Sequence, residues 1–288
     1  MSGILYVVAT PIGNLGEMTP RAIQVLNEVD LVAAEDTRHS RALFSHFNIK
    51  TPLFSCHAFN EEKQGDFFVC ALTEGKNVAL ISDAGTPCIS DPGYRLIRKT
   101  AEAGFSVVPV SGASAVVAAL SVSGFDASRF VFVGFFPRKK PEQQALLHEI
   151  NTWSCPVVFY ESPKRIIKTI SFFAQFAPDA QLCICNDLTK KFERTYRGIP
   201  ADVLAALTEN PSAQKGEYAC IIQPIAQKKA PPEEQEVLSI EALLLDIMVK
   251  QSCDLKTALG FLHQQKPNRP KKEIYAAMLR LKNLLTFS

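Results

Sequence analysis

Val78-Ala79-Leu80-Ile81 runs straight into Ser82-Asp83-Ala84-Gly85-Thr86-Pro87 and, past Cys88, into Ile89-Ser90-Asp91-Pro92-Gly93. Four consecutive apolar residues followed by an abrupt change of polarity predict a strand buried on both faces, the kind found in parallel sheets. Two carboxylates, two glycines and two prolines then fall between Asp83 and Gly93. A Gly/Pro-rich surface turn is the plain reading of such a stretch. A loop this dense in special residues is more often functional. Gly85 lets backbone approach a ligand with no Cβ in the way, and Pro87 and Pro92 stiffen the chain around it. In an open α/β sheet, ligands sit beyond the carboxyl ends of the strands, which is where this loop would lie.

The same pattern repeats on both sides. Leu5 to Ala9 reads as a strand ending in Thr10-Pro11-Ile12-Gly13-Asn14-Leu15-Gly16, and Leu31 to Ala34 as one ending in Glu35-Asp36-Thr37-Arg38. A strand near Pro52 to Phe54 leads to Cys56-His57-Ala58-Phe59-Asn60-Glu61, and Ser106 to Val110 leads to Ser111-Gly112-Ala113-Ser114. Helices fill the gaps, one of them opened by Thr19 as N-cap and Pro20 in its first turn. Strand–helix alternation of this kind predicts an α/β fold with a parallel sheet, and its polar loops gather at one edge.

After Ser123-Gly124-Phe125 the character changes. Leu182 to Cys185, Arg194 to Arg197 and Tyr218 to Ile222 follow one another without a full helix in every gap, which predicts some antiparallel pairing. The expected organisation is an N-terminal α/β domain over 1–115 and a second over 116–225. A charged, proline-bearing linker over 226–238 and a helical basic domain over 239–288 follow. That last segment carries eight Lys/Arg against four Asp/Glu, with Lys266, Arg269, Lys271 and Lys272 clustered at one connection. Such a cluster is either a solvated face or a nucleic-acid contact. Ile274, Ala277, Met278, Leu281, Leu284 and Leu285 form one apolar stripe on the final helix.

Composition narrows the class. A hydrophobic content of 47% is ordinary for a globular protein, and a net charge of +2 says little about partners. No apolar run is long enough for a membrane span, and Met1-Ser2-Gly3 opens directly onto a strand pattern without a basic leader, so a cytoplasmic protein is expected. The eight cysteines are scattered without C-x-x-C spacing or a neighbouring histidine cluster, which points to reduced, buried thiols and no metal. Neither a P-loop nor a G-x-G-x-x-G is present, and no serine or cysteine has a readable histidine partner. Small-residue loops with single carboxylates suit a nucleoside-bearing cofactor better than a hydrolase.

Leu5 to Leu15, Ala34 to Arg38, Ser82 to Pro87 with Ser90 to Gly93, Tyr160-Glu161-Ser162, Leu188-Thr189-Lys190 and Lys215-Gly216-Glu217 closely resemble the small-subunit ribosomal RNA methyltransferase I family of the tetrapyrrole methylase superfamily. The resemblance runs the length of the chain, including the helical tail. It implies two α/β domains of tetrapyrrole methylase type with a cofactor cleft between them, a homodimer, and S-adenosylmethionine-dependent 2′-O-methylation of a cytidine in the decoding region of ribosomal RNA. It implies cofactor contacts from Pro11, Gly13, Asp83, Ala84, Gly85, Thr86, Pro87, Ser114, Ala115 and Leu188. The chain departs from the family pattern at Phe59, Asn186-Asp187, Ser111-Gly112-Ala113 and Lys164, none of them in the central loop.

A ribose hydroxyl is a poor nucleophile when neutral, so a positioned base belongs in such a site. Glu35, Asp36, His57, Asp91 and Glu161 all stand at strand ends, with Glu35, Asp36 and His57 taken as the catalytic set. A structural ion pair with Arg38 competes for the two acids, and a local hydrogen bond competes for His57. RNA contacts are expected from Arg38 and from Lys266, Arg269, Lys271 and Lys272, on a small ribosomal subunit. Two other functions stay open: a small-molecule methyltransferase of the tetrapyrrole type, which would not need the basic tail, and a non-catalytic RNA-binding protein on the same fold, which would not need the cleft loops.

Overall fold

The structure is a computed structural model, and it describes residues 2–224, 239–265 and 271–285. The linker expected over 226–238 falls outside them, as do Lys266 and Arg269. Residues Met1–Ala226 form one compact unit and Gln227–Ser288 another.

The first half of the larger unit alternates strands and helices: β1 (Ile4–Val8), α1 (Pro20–Glu28), β2 (Leu31–Ala34), α2 (Thr37–His46), β3 (Leu53–Ser55), α3 (Glu61–Thr73), β4 (Val78–Ile81), α4 (Tyr94–Glu102), β5 (Ser106–Val110) and α5 (Ala115–Ser123). The five strands are all parallel, in the order β3-β2-β4-β1-β5. The period of two along β4 explains its unbroken apolar run. Val78 and Leu80 face a cluster with Phe68, Leu72 and Leu96 of α3 and α4, while Ala79 and Ile81 face Ala22, Val25, Leu26 and Phe44 of α1 and α2. Each such large side chain contributes about 1.5–3 kcal/mol by leaving water. Thr19 caps α1 by accepting from the Ala22 N–H at 3.1 Å, with Pro20 as the first helical residue.

From β1 and β2 the chain moves toward the β3 edge, whereas from β4, which lies between them, it moves toward β5. The connections therefore diverge between β2 and β4, and a crevice opens at their carboxyl ends. The loops after β1, β2 and β4 all border it.

The second half comprises β6 (Val131–Phe135), α6 (Lys140–Ile150), β7 (Val157–Glu161), α7 (Ile166–Phe176), β8 (Gln181–Asn186), β9 (Arg194–Gly198), α8 (Pro200–Glu209) and β10 (Tyr218–Gln223). Their sheet runs β6-β7-β10-β8-β9, with β6 and β7 parallel and the remaining pairs antiparallel. The final strand is thus inserted at the centre. Helices α6, α7 and α8 cover one face with Ile150, Phe173 and Leu207. Helix α5 covers the other with Val116, Ala119 and Leu120, against Val158, Cys183, Cys185, Ala219 and Ile221. The Cys183 and Cys185 sulfurs lie 4.0 Å apart on that face, and all eight cysteines are free thiols.

The smaller unit contains α9 (Ile240–Gln251), α10 (Leu255–Gln265) and α11 (Lys271–Leu285). Leu244, Ile247, Ala258, Leu262, Ile274 and Leu281 form its own core, and Arg280 of α11 donates to Glu241 of α9 at 2.7 Å. Among the described residues no helix is long and apolar enough to cross a membrane.

Candidate active site

Three loops are laced together at the carboxyl edge of the first sheet. Thr10 and Gly85 exchange backbone hydrogen bonds, N–H to C=O, at 2.9 and 3.0 Å. The Thr10 hydroxyl donates to the Ser82 carbonyl at 3.3 Å, and the Thr86 hydroxyl donates to the Ala113 carbonyl at 3.1 Å. Gly85 holds φ +78°, in the left-handed region, and a Cβ there would stand 3.2 Å from Ile12 Cγ2. Only glycine adopts this backbone freely.

Two adjoining clefts open over these loops. The first, about 340 Å³, is walled by Ile12, Ile89 and Phe135 and floored by Ala84, Gly85 and Thr86. Ser114 and Ala115 from the start of α5 and Leu188 after β8 close its other side. The second, about 350 Å³, includes Pro11, Gly13, Asp83 and Lys190. Ile12, Ala84 and Glu217 belong to both and form a shared wall. Of the ten expected cofactor residues, six therefore face the first cleft, while Pro11, Gly13 and Asp83 face the second. Pro87 is buried and lines neither.

The loop after β8 carries two non-glycine residues with positive φ, Asp187 at +51° and Thr189 at +69°. This is backbone held against its preference, a pattern that clusters at functional sites. The Lys190 stem lies across Gly13, and its ammonium pairs with Asp187 at 3.0 Å and with Glu217 at 2.8 Å.

Glu35, Asp83 and Asp91 form a group of carboxylates behind the shared edge of the clefts. Burial pushes the Glu35 carboxyl above its ordinary pKa, and the negative charges of Asp91 and Asp83 add to this. Burial likewise raises Asp91, with the Ser82 hydroxyl acting against it and Asp83 with it. Asp91 lines the first cleft and Asp83 the second. Neighbouring acids with perturbed pKa in a cleft mark a place where a proton can be held.

Asp36 adjoins that group, its N–H donating to Asp83 Oδ1 at 3.1 Å and its charge adding to the rise at Glu35. It is the N-cap of α2: its Oδ1 accepts from the Arg38 N–H at 2.8 Å, and the Arg38 guanidinium grips both its oxygens. The Arg38 hydrogen bonds hold its carboxyl well below the usual range, so it is a poor base. The same pair occupies the Arg38 fork that was expected to meet RNA. His57 lines neither cleft; its ring packs edge-on against Phe59, and its Nδ1 is buried without a partner among the described residues. Glu161 lines the first cleft but is buried, paired with Arg165 at 3.1 Å and accepting from Thr169 Oγ1 and the Ser162 N–H. Of the basic tail, Lys272 is exposed, and only the backbone of Lys271 is described.

Phe135, Tyr218 and Ala219 face the first cleft without having been singled out in the sequence. They lie in or beside strands, where nothing but the fold distinguishes them from core.

The tetrapyrrole (corrin/porphyrin) methylase family model matches residues 4–203. A Pseudomonas aeruginosa protein called ribosomal RNA small subunit methyltransferase I is 43% identical over 253 residues, covering 87% of this chain and 88% of that protein. A Synechocystis protein of the same name is 39% identical over 280 residues, covering 97% and 98%. Among solved structures, a diphthine synthase matches with a TM-score of 0.61 at 12% identity, over 77% of this chain and 90% of that one. A Thermus thermophilus uroporphyrin-III C-methyltransferase matches with 0.51 at 17%, over 78% and 96%. At those identities the structures speak for the fold alone. The family model and the two relatives speak for more: the chain belongs to the tetrapyrrole methylase family and, within it, to the ribosomal RNA small subunit methyltransferase I group.

Proposed function

We propose that the protein transfers a methyl group from S-adenosylmethionine to the ribose 2′-hydroxyl of a cytidine in the decoding region of small-subunit ribosomal RNA. The observation that carries the reading is the pair of contiguous clefts with a carboxylate group at their common edge. One cleft suits a cofactor, and the other leaves room for an acceptor beside it.

The residues present fit the cofactor. Gly85 offers bare backbone at the floor where any Cβ would press on Ile12, and the volume lies within the usual range of small-molecule sites. Ile12, Ile89 and Phe135 supply apolar walls for a flat base, and Asp91 supplies negative charge for a cation. When bound, the cofactor supplies an electrophilic methyl on a sulfonium. Ala84 to Thr86, Ser114, Ala115 and Leu188 would hold it, and the laced loops would fix its orientation. Alignment of two reactants can contribute roughly 7–11 kcal/mol in the best cases. Glu35, Asp83 and Asp91 would accept the hydroxyl proton, with Asp83 and Asp91 facing the clefts and Glu35 behind them. General-base help of this kind is typically worth 10²–10⁴-fold.

The reading also places the protein in the cytoplasm as a homodimer, as the family resemblance suggests; sedimentation equilibrium checks the second point. Mass spectrometry of small-subunit RNA from cells lacking the protein tests the whole. A missing ribose methyl on one cytidine, restored by the purified protein with S-adenosylmethionine, is expected. Unaltered RNA, or faster transfer to a porphyrin precursor than to small subunits, would overturn it.

A further inference from the structure

The turn between β8 and β9 carries chemistry that the clefts do not use. Lys190-Lys191-Phe192-Glu193-Arg194 sets one aromatic ring among three cations. Phe192 is 73% exposed, and the Lys191 ammonium stands 5.6 Å from its ring centroid. Lys191, Glu193 and Arg194 are exposed beside it. A ring left in water adds nothing to the core.

The turn is nonetheless tightly braced. The Lys190 N–H donates to the Asp187 carbonyl at 3.0 Å, and the Glu193 N–H to the Lys190 carbonyl at 3.1 Å. The Glu193 carboxylate accepts from the Thr189 N–H at 2.6 Å. Phe192 is therefore presented by a preorganised loop, which lowers the ordering cost of any contact it makes.

The acids at this end of the sheet are all engaged: Asp187 and Glu217 by Lys190, and Glu193 by the loop backbone. Arg194 pairs with Asn186 in the ladder, and the Asn186 amide donates to the Lys215 carbonyl at 3.3 Å, so Lys215 lies at the same end. Lys191, Arg194 and Lys215 make no ion pair among the described residues. The charge left over is positive. Between Asp187 and Arg194, Phe192 is the only exposed large apolar residue, so the loop lacks the contiguous apolar area of a protein contact. A stacking face flanked by free cations matches single-stranded nucleic acid, whose bases stack on aromatic rings while its phosphates meet Lys and Arg. Leu188 and Lys190, at the root of the loop, border the clefts, whereas Lys191 and Phe192 line neither.

Resting on the function proposed above, we propose that the β8–β9 loop is a contact for single-stranded RNA outside the clefts. Phe192 stacks on an unpaired base, and Lys191 and Arg194 meet the adjoining phosphates.

The test uses the full chain with small-subunit particles, a labelled single-stranded oligoribonucleotide and its duplex, each titrated across a salt series. Phe192→Ala should weaken binding to particles and single strand by about tenfold without changing the log–log salt slope, and Phe192→Tyr should retain it. Lys191→Gln and Arg194→Gln should each flatten the single-strand slope by about 0.7 unit. Duplex affinity should not respond to Phe192. All four variants should keep wild-type Tm and cofactor affinity, since these side chains are exposed and line neither cleft. A folded Phe192→Ala protein that binds the single strand as the wild type does would overturn the inference. So would an equal loss on the duplex, or a wild type with no affinity for the single strand. A loss confined to particles would mark a contact with ribosomal protein and overturn it as well. Methylation of the particles by the wild type reads the function separately: where it persists, only the loop assignment falls. A wild type that neither binds nor methylates the particles would remove both.

Discussion

Replacing Gly85 separates backbone strain from ligand contact. Its N–H and C=O are both bonded to Thr10, so the residue cannot leave φ +78° without breaking the lacing of the two loops. An L-residue held in the left-handed region costs about 1–2 kcal/mol. In a chain unit of this size each kcal/mol lowers Tm by roughly 2–4 °C, so Gly85→Ala is expected to lose about 2–8 °C. The new Cβ would also stand 3.2 Å from Ile12 Cγ2, and Ile12 forms the shared wall of the clefts. Displacing it should weaken cofactor affinity at least about tenfold, the equivalent of ~1.4 kcal/mol, and the branched Gly85→Val should abolish binding. Gly104→Ala is the matched control. Gly104 sits at φ +82° past the end of α4, with no atom within 4 Å of its would-be Cβ. It should lose a similar few degrees and keep wild-type cofactor affinity. Thermal unfolding and calorimetric titration of the two variants decide the matter. A folded Gly85→Ala protein with unchanged affinity, or a Gly104→Ala protein that has lost it, would refute this placement of the cofactor.

Because burial and like charge raise the Glu35 and Asp91 carboxyls, the folded chain holds those protons more tightly than the unfolded one. Their contribution to stability is full below the ordinary carboxylate pKa and is lost as pH rises through the raised values. Glu35→Gln and Asp91→Asn should therefore match the wild-type Tm in acid and exceed it at neutral pH, while methyl transfer falls about 10²–10⁴-fold; a Tm series against pH with rate assays checks both. Glu61, buried in α3, accepts backbone N–H bonds from Gly93, Arg95 and Leu96 at 3.1, 2.7 and 3.2 Å and so anchors the start of α4 behind Asp91. Glu61→Ala should cost about 3 kcal/mol, visible in urea unfolding, and should slow turnover by loosening the Asp91 loop. Truncation after residue 226 should leave a folded body with wild-type cofactor affinity, since that body is compact by itself. Small-subunit binding across a salt series should then show a shallower slope, and an identical slope would assign the helical unit a structural role.

Much of this architecture is written in local pattern. The run Val78–Ile81, with both of its alternating faces apolar, needs cover on two sides, and α1 with α2 and α3 with α4 provide it. Positive φ at Gly85, Gly93 and Gly104 falls where the sequence spends glycine on a turn or a helix end. Asp36 shows the limit of such reading. An acid one residue before Thr-Arg at a strand end fits a catalytic group and an N-cap equally well, and nothing in the sequence alone announces the grip of the Arg38 fork.

The second cleft was not legible for a different reason. Its walls come from the loop after β1, the inner face of α2, the loop after β4, and Lys190 with Glu217 from the second sheet. Period and spacing say which way a side chain faces on its own element, but not which elements become neighbours. Here the deciding fact is the insertion of β10 between β7 and β8, which puts Tyr218 opposite both Glu161 and Asn186. That register brings Glu217 beside Asp187, whose N–H donates to the Glu217 carbonyl at 2.9 Å. Lys190 then bridges the two acids and lays its stem on Gly13 of the first sheet's loop. A local signal existed in the positive-φ residues Asp187 and Thr189, but neither is a glycine, so the sequence did not announce the turn. The contact that closes the second cleft is thus a consequence of strand order, and strand order is a property of the whole chain.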